Sequence, residues 1–176
     1  MTYVTEFAIE EAIIDISNGV EQPRETSRLH TRYSDLATAQ ADAEREQDRF
    51  NAYAAKNGGH ARVECKVVPV KLGFANNYLW TDVEPFEIVR VVSDKTIEVR
   101  QMKAERAEDW KPNMVSGGFA FHCTNNADQR KAWVMTPDAD AETVRIRRQK
   151  DGRWKNPSLG LFRLAEQPVK HYDFNF

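Results

Sequence analysis

Six cations fall within eleven positions of the chain: Arg145, Arg147, Arg148, Lys150, Arg153 and Lys155, with Trp154 among them. On a twisted hairpin Arg145 and Arg147 share one face, and a turn at Lys150-Asp151-Gly152 brings Lys150 and Arg153 close. A β-ribbon with cations and an exposed aromatic can grip a phosphate backbone or stack on a base. The same cations can bind an acidic protein surface. They can also do neither and simply blunt an exposed edge strand.

The second string with chemical potential is Ser116-Gly117-Gly118-Phe119-Ala120-Phe121-His122-Cys123-Thr124-Asn125-Asn126. A thiol beside an imidazole suggests a nucleophile with its base. Adjacent residues on a strand point to opposite faces, however, and such a pair must converge within hydrogen-bond reach. The spacing therefore argues against His122 serving Cys123, although His171 or Asp173 could partner either residue. The expected reading is a glycine turn feeding a core strand with Cys123 buried. Metal and phosphate motifs are weak: His30, His60, His122 and His171 show no H-x-x-x-H spacing, and there is no C-x-x-C, P-loop or G-x-G-x-x-G. No cofactor is expected. Cys65 and Cys123 are expected to be buried free thiols.

Elements must position these groups. Residues 3–16 alternate as a strand, with a helix through Phe7, Ile9, Ile13 and Ile16 as the competing reading; Asn18-Gly19 reads as a turn and Arg28 to Tyr33 as a second strand. An amphipathic helix spans about 34–57, with Ser34 as N-cap and Leu36, Ala39, Ala43, Phe50 and Ala54 on one face. Gly58-Gly59 ends it. A half-buried strand follows through Ala61, Val63, Cys65 and Val67. Lys71 to Asn77 has no period and is the expected boundary.

Beyond it the pattern is of short strands: 86–92 and 96–102 around Ser93-Asp94-Lys95, then 119–124, 131–136, 143–149, 153–155, 161–164 and 169–174. The expected fold is thus α+β: an N-terminal ββαβ unit (1–72) packed against a small all-β module (78–176), an SH3-like barrel or a sandwich.

Bulk properties exclude more than they identify. The net charge of −2 gives no global drive toward nucleic acid or anionic membranes. No apolar run is long enough to span a bilayer, and the first twenty residues carry four acids and no Lys or Arg, unlike a secretory leader. Glu6, Glu10, Glu11, Asp15 and Glu21 precede the first basic residue, Arg24, so an acidic N-terminal patch is expected opposite in sign to the basic ribbon.

The stretches Thr81 to Pro85, Val91 to Arg100, Gly117 to Asn125, Lys150 to Trp154 and Tyr172 to Phe176 resemble small uncharacterised proteins carried by phages and plasmids. The resemblance covers roughly the C-terminal 95 residues, carries no activity or catalytic set, and implies a mobile-element origin and a bacterial cytoplasm. Together with the missing catalytic motifs it implies a non-enzymatic accessory factor that binds a host protein or nucleoprotein complex, a CRISPR–Cas effector being one form. Nucleic-acid binding by the basic hairpin is the alternative, and a Cys/His enzyme a third. No membrane partner is expected, and the oligomeric state is open.

Overall fold

The computed structural model describes residues 2–16, 20–29, 31–117 and 120–175. The Asn18-Gly19 turn, His30 and the Gly118-Phe119 pair lie outside them. The chain divides into two compact units, Thr5–Lys71 and Leu72–Phe176 with Met1–Val4.

The expected fold class is wrong. The protein is mostly β, 51% strand against 13% helix, with one helix among the described residues and a closed six-stranded barrel, rather than a ββαβ unit with a small module. In the first unit, β1 (Val4–Asp15) lies between β2 (Gln22–Arg28) and β3 (Ala61–Leu72). β2 forms earlier than the Arg28 to Tyr33 reading placed it. It is an edge strand, exposed along its whole length, so burial leaves no alternation to read. An edge also tolerates Pro23, which pairs with Ile14 at a register shift.

The helix α1 (Leu36–Lys56) is capped by Asp35, not Ser34: the carboxylate accepts from the backbone N–H of Ala37 at 3.0 Å and of Thr38 at 3.2 Å. Only Ala39 and Ala43 of the expected apolar face are buried, while Leu36 and Phe50 are exposed. The helix meets the sheet through amides instead. Asn51 exchanges two hydrogen bonds with the Val63 backbone, at 2.8 and 3.2 Å, and Gln47 Oε1 accepts from Cys65 N at 2.9 Å. These side chains satisfy edge groups of β3 that no strand reaches. The N-terminal acids are also occupied locally: Asp15 pairs with Arg24, Glu10 with Arg28 at 3.0 Å and Glu21 with Arg62 at 2.9 Å, while Glu6 is buried.

In the second unit, the segment read as aperiodic holds β4 (Phe74–Tyr78), where Ala75, Asn76 and Asn77 are buried. Its lack of period follows from burial on both faces. β4 neighbours β6 (Phe86–Ser93) on one side and β13 (Gly160–Ala165) on the other. The ring continues from β6 through β7 (Thr96–Arg106), β11 (Thr143–Arg148) and β12 (Trp154–Asn156) to β13, antiparallel throughout. Register shifts in β6 supply bends that help a small barrel close. The interior is Ala75, Phe86, Ile88, Ile97, Val99, Ile146, Trp154 and Phe162.

Two further strands pair with ring strands, and two more form a separate ribbon. β5 (Val83–Glu84) pairs with the end of β4, and β10 (Trp133–Pro137) with the far half of β7. β8 (Met114–Gly117) and β9 (Ala120–Cys123) form a two-stranded ribbon. Of the Gly-Gly-Phe…His-Cys string, expected to be core, Phe121 is exposed and Cys123 is buried. Among the described residues, the C-terminal aromatics belong to no strand; His171 makes an isolated bridge to Val83. The segment is held by side chains: Gln129 Nε2 donates to Tyr172 O at 2.6 Å, Asn126 Oδ1 accepts from Phe174 N at 3.0 Å, and Asn175 Oδ1 accepts from Cys123 N at 2.6 Å.

Candidate anion-binding face of the barrel

The basic cluster sits on the β11–β12 hairpin, and its turn is set by Asp151-Gly152. Gly152 N donates to Gln149 O at 3.0 Å, Gln149 N to Arg153 O at 2.8 Å, and Gly152 takes φ +81°. This is a three-residue loop with glycine in the left-handed region rather than a two-residue turn.

The hairpin divides the seven residues. Trp154 is 4% exposed and belongs to the barrel interior, so it is not the exposed aromatic the sequence suggested. Arg148 is its cross-strand partner and shares that inward face, half-buried at the barrel's end. Arg153 is exposed, but it holds the Asp151 carboxylate at 2.6 and 2.8 Å. That hydrogen bonding keeps the Asp151 carboxyl below its ordinary range and consumes the Arg153 charge. Lys150 is exposed in the turn.

Arg145, Arg147 and Lys155 remain together on the outer face. They line an open groove of ≈ 610 Å³ with Gln149, Asn156, Pro157 and Gly160. Asn156 shapes its rim: its amide donates to Arg145 O at 2.9 Å, and its Oδ1 accepts from Ser158 N and Leu159 N. Arg145 is tethered to Glu98 at 2.9 Å, and Arg90 approaches the same carboxylate at 3.9 Å. Two arginines thus share one acid. Among the described residues, no carboxylate lies within ion-pair distance of Arg147 or Lys155.

The strand register carries the face beyond the hairpin. Arg147 stands opposite Lys155, Lys155 opposite Leu161, and Leu161 opposite Tyr78. Inter-strand steps are about 4.8 Å, so the row spans about 14 Å. Phe162 points inward, so Arg163 points outward, and its guanidinium lies 4.5 Å from the centre of the Tyr78 ring. Two residues past Tyr78, in the turn closed by Leu79 N donating to Asp82 O, Trp80 is 94% exposed. Sequence reading missed Arg163, Tyr78 and Trp80. The alternation around Phe162 could have given Arg163, but only the pairing of β4 with β13 brings Tyr78 to this row.

The competing sites are closed off. Cys123 is 1% exposed, and its thiol bonds Asn125 Oδ1 at 3.1 Å. Cys65 is half-buried; burial, with Glu11 and Glu46 nearby, raises its pKa and disfavours the thiolate. Both cysteines are free. Among the described residues no three His, Cys, Asp or Glu side chains converge as a metal site. A second hollow of ≈ 340 Å³ lies by Trp133 and Lys170, but Lys170 is already paired with Glu84 and sits 5.5 Å over the Trp133 ring. Among the described residues no helix is long and apolar enough to cross a membrane.

Fold and face together define a closed six-stranded antiparallel β-barrel with a cationic patch on the outer face of β11 and β12. No protein-family model, curated protein or solved structure matches the chain.

Proposed function

We propose that the protein is a non-enzymatic binding protein that uses the outer face of β11 and β12 to hold an anionic surface of a partner macromolecule. This is the role of a mobile-element accessory factor occupying a host component, as the C-terminal resemblance implies. The observation that carries the reading is the placement of Arg147 and Lys155. They are exposed, in register and, among the described residues, without an ion-pair partner, whereas Arg45, Arg49, Arg100 and Arg153 are each paired with an acidic neighbour. Like charges directly opposite on a sheet are unfavourable. A fold that keeps such a pair at a groove, with Arg145 beside it, presents a ready counter-surface for anions.

Inorganic polyphosphate tests the reading with a probe that carries charge but no base or side chain. Binding at low salt is expected, weakening at least about tenfold in the Arg147→Glu/Lys155→Glu double variant. Arg45→Glu/Arg49→Glu on α1 makes the same change in net charge and is expected to leave binding intact. Absence of wild-type binding, or equal loss in both double variants, refutes the reading.

A further inference from the structure

We infer that the anion this face accommodates is single-stranded nucleic acid, with Trp80 as a base-stacking platform beside the cationic row. The inference rests on the anion-binding reading above and names its partner class. Three features carry it.

The first is the spacing of charge. Arg145, Arg147 and Lys155 line the groove, Arg163 stands on the neighbouring outer face of β13, and the row from Arg147 to Tyr78 runs about 14 Å. That length suits two or three nucleotides of an extended strand, with phosphates meeting cations one or two strands apart.

The second is Trp80. A tryptophan 94% exposed leaves a large apolar surface in water, and among the described residues it makes no ring contact. The other tryptophans are held: Trp154 is interior, Trp110 packs at 5.6 Å on Phe174, and Trp133 donates to Gln129 at 3.0 Å. An exposed indole in the turn that follows the end of a cationic row is the combination that unstacked bases bind, each base supplying a π-face whatever its identity. Tyr78, under Arg163, extends the aromatic surface within the row.

The third is what the face lacks for the other anions. A duplex offers phosphates but no free base for Trp80. An acidic protein surface would satisfy the cations yet leave the indole without a planar partner of matching shape. Trp154 is interior, and Trp80, two residues beyond the Tyr78 end of the row, is an exposed indole in its place.

The experiment is titration of the full chain with a fluorescein-labelled twelve-residue oligothymidylate, read by anisotropy, alongside polyglutamate and a mixed-sequence duplex. Oligothymidylate is expected to bind, to quench tryptophan emission, and to weaken with salt at a slope near −2 for about three phosphate contacts on a single strand. Trp80→Ala is expected to weaken that binding about tenfold, and Trp80→Phe to recover most of it. Trp80→Ala is expected to leave polyphosphate binding unchanged. Trp80 is exposed, so the variant removes no buried contact. Equal binding of oligothymidylate and polyglutamate with no effect of Trp80→Ala overturns the inference while leaving the anion-binding face standing. Preference for duplex, again without an effect of Trp80→Ala, does the same. Failure of polyphosphate as well as oligothymidylate overturns both.

Discussion

Arg147 on β11 and Lys155 on β12 are cross-strand partners, two cations in register on the outside of the barrel. Directly opposed like charges oppose folding. Lys155→Glu, which turns the pair into an attractive one, is therefore expected to raise stability by about 0.2–1 kcal/mol. The same change is expected to weaken polyphosphate binding. The denaturant midpoint and the binding isotherm check the two halves. A variant that is less stable than the parent contradicts the account of the pair.

The barrel interior is small, and Phe162 is at its centre. Phe162 is 1% exposed and meets Phe86 edge-to-face, with ring centroids 5.2 Å apart at 81°. Phe162→Ala removes an aromatic from a closed ring of strands that has little freedom to collapse. A loss of about 3–5 kcal/mol is expected, measured by urea unfolding. A loss below about 1 kcal/mol would mean that Phe162 is not packed as described.

Gln129 ties the C-terminal segment down. It is 5% exposed; its Oε1 accepts from Trp133 Nε1 at 3.0 Å and Tyr172 N at 3.1 Å, and its Nε2 donates to Tyr172 O at 2.6 Å. Gln129→Leu keeps an apolar body but leaves the indole and the Tyr172 backbone without partners. A cost of about 2 kcal/mol or more follows. Removing residues 172–176 should likewise lower the melting temperature, because Asn126 and Gln129 lose their hydrogen bonds to that segment and the Cys123 N–H loses its acceptor. An unchanged melting temperature in the truncated chain would refute this role.

Local sequence signals revealed some elements and hid others. Asp151-Gly152 and Asp94-Lys95 are turn chemistry acting over a few residues, and both hairpins stand where those signals put them. β4 was hidden because a strand buried on both faces has no alternation, and Asn76 and Asn77 resemble loop residues. Their amides are in fact spent inside: Asn77 donates to Leu159 O and Leu161 O, and Asn76 to Gln167 O. Missing β4 meant missing the closure of the ring. The cationic cluster was visible, but its division was not. Whether Trp154 faced water or the core depended on the hairpin's parity against a barrel that only long-range pairing defines. For the same reason Trp80, an unremarked aromatic in a turn, became part of the site only once β4 was placed beside β13.

Asp35 provides a test in which pH is the variable. Its carboxylate caps α1, and hydrogen bonds from Thr38, chiefly, and Ala37 hold its pKa below the ordinary 3.8. A pKa depressed by folding means that the unfolded chain binds protons more readily. The cap's ionic contribution is therefore fully present above 3.8, and it is lost as pH falls through the lower folded value. Asp35→Asn keeps an acceptor for the same N–H groups but removes the negative charge from the positive end of the helix. The parent is expected to melt higher than the variant near neutral pH. The gap should narrow as the solution is acidified past the carboxylate range. Asp35→Ala, which removes the acceptor too, should melt lower than Asp35→Asn at every pH. Thermal melts followed by the helical circular dichroism signal check this order, and a gap between parent and Asp35→Asn that is the same at acid and neutral pH would show that the charge contributes nothing to the cap.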